Sequence, residues 1–269
     1  MILRLPKGYK RIEGISPLAV AHERYTGAIA DILRGHTLHQ WASRHPDRRE
    51  YQGRGRVYSA PILGDGPRVV VRHAWHGGLL APILRDVWLP PTPAASELLI
   101  SAVLARAGVP TPPIVGFATY PAAVLLRRVD VVTLEIEGLD LATTIGTAAG
   151  ADRAPVHRAL ARLLAAMLDA GAWHQDLNAK NVLLSPSAGG ELQAVLLDVD
   201  RVRFVPAGDP HMAAANTERL RRSMQKFHAR GEPALTDEDF AEIERLLGHE
   251  EARRANDRAT ALEEYMPWE

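Results

Sequence analysis

The sequence predicts an α+β fold in two lobes, a small antiparallel-sheet lobe with one key helix followed by a mainly helical lobe. Three observations carry that expectation. Stretches rich in valine and other β-formers, bounded by glycine turns, fall between Gly53 and Gly138; one helical pattern interrupts them after Thr92-Pro93; and from Pro155 onward apolar residues recur at helical spacing. The expected boundaries are an N-terminal extension over residues 1–50, a first lobe over 51–137 and a second over 138–269, and 269 residues suffice for two such lobes.

In order along the chain, residues 11–50 alternate poorly and Ala28 to Trp41 shows only a weak helical pattern. G-R-G-R-V-Y from Gly53, a glycine-containing turn at Leu63 to Pro67, and Arg68 to Arg72 with three consecutive valines read as two strands and their turn. Thr92 before Pro93 is an N-cap with proline at the first helical position; Ile100, Val103, Leu104 and Ala107 give that helix one face before Gly108 and Pro110 stop it. Ala123 to Arg127 and Val131 to Ile136 read as two more strands. Leu160, Leu163, Leu164, Met167 and Leu168 form the strongest helical stripe, closed by Gly171. A polar loop from Trp173 to Asn181, a strand at Val182 to Leu184, a P-S-A-G-G turn and a strand ending at Asp198 come next, and the chain from Met212 reads as helical.

Composition limits function. Lys plus Arg equals Asp plus Glu at 32 each, so no global field would hold the protein on nucleic acid or an anionic membrane, and nucleic acid is not expected as a partner. The absence of cysteine removes disulfides, thiolate nucleophiles and sulfur-ligated metals, and the eleven histidines, His36 and His39 included, lack companions at metal-ligand spacing. Basic residues at the start are followed by no apolar run, and about 18 consecutive apolar residues occur nowhere, so the expected location is cytoplasmic, with membrane contact only at a surface.

The chemistry concentrates in His174, Asp176, Asn181 and Asp198. Asp176 and Asn181 stand five apart on a loop between a buried helix and a short apolar strand, and Asp198 closes the next strand. Oxygen ligands at the ends of neighbouring strands suit Mg²⁺, which takes one or two carboxylates and completes its shell with phosphate oxygens and water. Phosphoryl transfer needs that set: one carboxylate to orient the attacking hydroxyl, an amide and a second carboxylate for metal. The bland alternative is that each residue merely caps a turn. Lys180, four after Asp176, is placed to neutralise a transferring phosphoryl group or else is a solvent-facing loop lysine.

H-Q-D-L-N-A-K-N, ending at Asn181, and L-L-D-V-D, ending at Asp200, resemble the catalytic loop and metal-binding segment of the protein-kinase-like superfamily. The resemblance implies ATP and Mg²⁺ as cofactors, bound between the lobes. It makes Asp176 the residue that positions and deprotonates the acceptor hydroxyl, Asn181 and Asp198 the metal ligands, and His174 a structural tie. Gly53, Arg54 and Gly55 resemble a short glycine-rich phosphate loop, and Glu135 and Ile136 a connector whose backbone meets adenine. No lysine lies between Lys10 and Lys180, so Arg72, closing V-V-V-R, is expected to take the phosphate-binding position, paired with Glu97.

G-R-G-R-V-Y, V-R-H-A-W-H-G-G-L-L, A-G-V-P-T-P-P and H-Q-D-L-N-A-K-N-V-L-L with L-D-V-D-R together resemble the 3-deoxy-D-manno-octulosonic acid (Kdo) kinases and related lipopolysaccharide core kinases, over about residues 50 to 205. That branch implies an acceptor hydroxyl on Kdo attached to lipid A, at the cytoplasmic face of the inner membrane. Alternatives are a kinase of another sugar-containing or small-molecule acceptor, as in aminoglycoside phosphotransferases, and a non-catalytic ATP-binding module. Membrane contact has two candidate elements: the Trp- and Leu-rich stretch from Trp75 to Leu89, and the stripe of Arg219, Arg222, Lys226 and Arg230.

Overall fold

The computed structural model describes residues 4–14, 18–52, 55–75, 86–147, 152–187 and 189–265. The chain divides into two compact units, Met1–Val103 with Pro112–Ile136, and Leu104–Thr111 with Glu137–Glu269.

Unit 1 is built on a seven-stranded antiparallel sheet. Its strands are β1 (Tyr9–Arg11), β2 (Leu18–His22), β3 (Arg49–Gln52), β4 (Arg56–Pro61), β5 (Arg68–His73), β6 (Ile114–Pro121) and β7 (Arg127–Leu134), in the order β1-β2-β6-β7-β5-β4-β3. Alternation splits the sheet's residues between two cores. Val69, Val71, Ala118 and Val132 pack with Ile29 of α1 (Thr26–Leu33) and Leu38 and Ala42 of α2 (Leu38–Arg44); Val20, Phe117, Val129 and Val131 pack with Ala94, Ala95 and Leu98 of α3 (Pro93–Arg106).

Unit 1 differs from the sequence expectation in three respects. β1 and β2 lie in the stretch read as an extension; Ala19, Val20 and Ala21 of β2 are all fully buried, so they read as an apolar run instead of alternating. Ala123 to Arg127, expected as a strand, is largely the tip between β6 and β7: the apolar composition of a strand stands there on an exposed turn, and the strand lies upstream at β6. The buried face of α3 is Ala94, Glu97, Leu98, Ser101 and Leu104, not the Ile100–Val103–Ala107 face, because Ser101 and Glu97 bury polar atoms that apolar periodicity cannot register.

Unit 2 contains β8 (Leu139–Asp140), α4 (Leu141–Thr147), α5 (Ala154–Asp169), β9 (Ala172–His174), β10 (Val182–Pro186), β11 (Leu192–Leu196), β12 (Val202–Phe204), α6 (Pro210–His228) and α7 (Asp237–Tyr265). The predicted stripe of α5 is its core face: Leu160, Leu163, Leu164, Met167 and Leu168 are buried. Gly171 ends the helix at φ +63, and a Cβ there would run into the carbonyl of Val205, so the position needs glycine twice over. Gly171 and Val205 bring β9 beside β12, while β10 and β11 form the predicted hairpin. Among the described residues no helix is long and apolar enough to cross a membrane.

Candidate active site

Two short elements bracket the polar loop of unit 2. β9 ends at His174, and a 3₁₀ turn at Ala179–Asn181 leads into β10. Asn178 caps that turn, its Oδ1 accepting from the Lys180 N–H at 3.0 Å while its Nδ2 donates to the Asp176 carbonyl at 3.0 Å. The Asn181 Nδ2 donates to the same carbonyl at 2.9 Å. With its nitrogen committed, the Asn181 amide presents Oδ1 as its remaining ligand atom.

Asp198 lies close to Asn181 because of the hairpin's register. Val182 pairs with Leu196, and the Leu197 N–H donates to the Asn181 carbonyl at 2.8 Å, so Asn181 and Asp198 stand at the same open end of β10 and β11. Asp198 adopts φ 55, ψ 49, a left-handed conformation uncommon outside glycine, and its carboxylate caps nothing in the 3₁₀ turn that follows. The donor set, a carboxylate and an amide oxygen on adjacent strand ends, suits a hard divalent cation. Among the described residues no three His, Cys, Asp or Glu side chains converge as a cage.

His174 ties the halves together. Fully buried, its Nδ1 accepts from the Asp176 N–H at 3.2 Å and its Nε2 faces the Asp198 carbonyl at 3.2 Å. Those partners select one neutral tautomer, Nε2-protonated. Burial holds its pKa below the usual imidazole value, although Asp198 and Asp176 pull the other way. Asp176 and Lys180 are exposed.

Sequence reasoning missed Asn216. Buried in α6, it accepts the His174 N–H on Oδ1 at 3.1 Å and donates from Nδ2 to the Ala172 carbonyl at 2.9 Å, clamping β9 from both ends. Ser223, two turns further on, accepts the Ala179 N–H at 3.1 Å. A signal existed: Asn216 stands four residues from both Met212 and Leu220, a polar residue inside the helix's apolar stripe.

In unit 1 the Arg72 guanidinium pairs with the nearly buried carboxylate of Glu97 on α3. Gly55 follows β3, and a Cβ on it would strike the Trp75 indole. Gly53 and Arg54 lie outside the described residues, as do residues 76–85 of the Trp- and Leu-rich stretch. The Glu135 carboxylate is engaged within the unit, accepting from Ser59 Oγ at 2.7 Å, Arg68 Nε at 2.9 Å and the Tyr51 hydroxyl, while the Glu135 N–H donates to the Arg68 carbonyl at 3.0 Å. Ile136 closes the unit. In the basic stripe of α6, Arg219 lies 5.7 Å over the Trp173 ring, Arg222 pairs with Glu218 at 3.1 Å and Arg230 with Glu232 at 4.0 Å, so three of its four cations have neighbours of their own.

The model of the lipopolysaccharide kinase (Kdo/WaaP) family matches residues 39–246, most of the chain. The chain belongs to this family. Among its relatives are the 3-deoxy-D-manno-octulosonic acid kinases of Stenotrophomonas maltophilia (strain R551-3), 30% identical over 86% of this chain and 89% of the relative, and of Actinobacillus succinogenes, 29% identical over 71% and 80%. A solved structure, WaaP in complex with acyl carrier protein, matches with a TM-score of 0.50 at 18% identity, covering 78% of this chain and 85% of that one, and it shares the fold. As a Kdo/WaaP family member the protein is a kinase of lipopolysaccharide core biosynthesis with a protein-kinase-like α+β fold.

Proposed function

We propose that this kinase transfers the γ-phosphoryl group of ATP to a hydroxyl of Kdo in Kdo-lipid A, with Mg²⁺, from the cytoplasmic face of the inner membrane. The observation that carries the reading is the neutral His174 bridge, which fixes the backbone of Asp176 and Asp198 together while Asn181 bonds the same loop. Asp176 orients the acceptor hydroxyl and takes its proton as the oxygen bonds to phosphorus and ADP leaves; Lys180 offsets charge on the transferred group. Asn181 Oδ1 and the Asp198 carboxylate hold the metal, which when bound screens the phosphate charge. Arg72, braced by Glu97, holds phosphate oxygens, and Gly53, Arg54 and Gly55 are assigned to the same phosphates. Because the Glu135 side chain and N–H are committed inside unit 1, adenine is left the Glu135 carbonyl and the backbone of Ile136.

The test is transfer of labelled phosphate from ATP to purified Kdo-lipid A, with an aminoglycoside and free hexoses as rival acceptors. Mg²⁺-dependent label on Kdo that falls 10²-fold or more in Asp176→Asn, with ATP still bound, is expected, in line with roughly 10² to 10⁴ for general-base positioning. Label on a rival acceptor alone, or ATP binding without transfer to any acceptor, would overturn the assignment.

A further inference from the structure

Among the described residues of unit 1, the tip between β6 and β7, Ala122 to Leu126, carries the most exposed apolar side chains. Val124 is 91% and Leu125 67% exposed, in the run P-A-A-V-L-L that ends in Arg127 and Arg128. A second apolar residue set stands beside it. Trp88 and Arg127 exchange backbone hydrogen bonds at 2.8 Å in both directions, an antiparallel bridge that places Leu89, 64% exposed, alongside Leu126. The Trp88 indole is anchored by its bond to the Ala74 carbonyl at 3.2 Å. Scattered exposed apolar residues are ordinary on a protein surface; Val124 and Leu125 together on one turn, with Leu89 on the segment bridged to it, are a cluster.

The tip is also prepared for a poorly hydrated surrounding. Its Ala122 N–H donates to the Leu126 carbonyl at 3.0 Å, and the Arg127 guanidinium folds back to donate to that carbonyl at 2.9 Å and to the Ala123 carbonyl at 3.3 Å. The Ala123 and Leu126 carbonyls, which would be costly to strip of water, are thereby satisfied from within. The same folding sets the Arg127 charge at the base of the tip, while Arg128 beside it pairs with Asp86 at 2.6 Å; the run from Pro121 to Arg128 has no acidic residue. Apolar side chains leading and a cation at their base match the layering of an anionic bilayer, hydrocarbon beneath acidic headgroups.

We propose that this tip, Val124 and Leu125 with Leu89 at its side, docks unit 1 on an anionic lipid bilayer, with Arg127 among the headgroups. The inference rests on the reading of a lipid-linked acceptor, since an enzyme meeting a water-soluble sugar would need no such element. It differs from the basic stripe of α6 in placing the contact on unit 1 and in requiring apolar insertion as well as charge.

The experiment uses the full chain and vesicles of phosphatidylethanolamine with phosphatidylglycerol, against phosphatidylcholine alone. Wild type should sediment with the anionic vesicles, and Val124→Ser with Leu125→Ser should lower the partition at least tenfold without changing the thermal melt. Because the chain has no cysteine, Val124→Cys can carry a single environment-sensitive dye, whose emission should shift to the blue on anionic vesicles only. A lipid-free Kdo oligosaccharide, assayed in parallel, should be phosphorylated equally by wild type and the serine variant; failure of wild type there would defeat the proposed acceptor and leave the docking result to stand by itself. Equal partition of wild type and variant, or an unshifted dye, overturns the docking. So does sedimentation velocity showing a dimer that the serine variant dissociates while vesicles remain unbound, which would assign the tip to a second copy of this chain.

Discussion

His174 meets Asp198 through the backbone, not the carboxylate: Nε2 lies 3.2 Å from the Asp198 carbonyl oxygen. The carboxylate stays available for a cation while the left-handed backbone that aims it is pinned. Burial depresses the His174 pKa, so the unfolded chain takes up the proton first as pH falls. The stability contributed by the neutral ring is complete above about pH 6.5 and is lost as pH falls from there through the lower folded value. His174→Phe should flatten that acid limb in urea titrations. It should also cost on the order of 1–3 kcal/mol for each backbone group orphaned, and reduce transfer at pH 7.5. An unchanged acid limb would mean that another group governs it.

His73 should behave with the opposite sign. Next to Arg72 on β5, it points to the other face of the sheet, where Nδ1 lies 2.6 Å from the fully buried Asp130 and Nε2 lies 3.1 Å from Asp86. Burial lowers its pKa, but Asp130 and then Asp86 outweigh that and raise it overall. A ring facing two carboxylates satisfies both only as the cation. Its contribution is fully present below about pH 6.5 and is lost as pH rises through the raised folded value. The surrounding groups are the Arg128 charge on Asp86, and the neutral backbone N–H of His39 on the second oxygen of Asp130. His73→Gln should flatten the alkaline side of the stability profile and leave the acid side alone. Movement of the acid side would refute the assignment.

Arg72 and Arg68 separate the nucleotide role from the structural one. On the proposed phosphate role, Arg72→Lys should lower ATP-dependent turnover about tenfold or more, because a point charge cannot replace a planar fork that pairs with Glu97 and would also hold phosphate. Arg68, four residues earlier on the same strand, is not a silent control, for it holds Glu135 at 2.9 Å; Arg68→Ala should cost about 1–3 kcal/mol in stability. The exposed Arg34 serves as control instead. Equal turnover in Arg72→Lys and Arg34→Ala would reduce Arg72 to a structural ion pair.

Much of this was legible in the sequence, for identifiable reasons. The polar loop announces itself because Asp176, Asn181 and Asp198 interrupt strongly apolar neighbours at fixed spacing, and the α5 stripe because one face alone is buried. Missing lysines made Arg72 stand out, and the structure pairs it with Glu97. The β1–β2 addition was hidden because a three-residue strand and one whose three central residues are all buried show no alternation. α2 carried a signal that went unread, a capping box between Thr37 and Gln40. The tip at Val124 was misread as strand because periodicity records apolarity and not exposure. His73 and Asp130 pair across strands 57 residues apart in sequence, which no local pattern reports.

Asn216 is the residue whose loss should be felt furthest from where it sits. Its two amide bonds, to the His174 N–H and the Ala172 carbonyl, leave neither end of the side chain free, so the two obvious substitutions fail differently. Asn216→Leu fills the space but orphans both backbone groups, at roughly 1–3 kcal/mol each. Asn216→Asp keeps the acceptor for His174 but faces the Ala172 carbonyl with a buried carboxylate, which takes up a proton or pushes the strand away. The aspartate variant should therefore be rescued as pH falls, since a protonated carboxyl can donate to Ala172 again, whereas the leucine variant should not. Urea unfolding between pH 5 and 8 reads the difference in stability, and transfer assays at the same pH values read whether the loop at Asp176 recovers with it. If both variants lose stability equally at every pH, α6 supports β9 by packing alone, and the amide has no special part in holding the loop at Asp176.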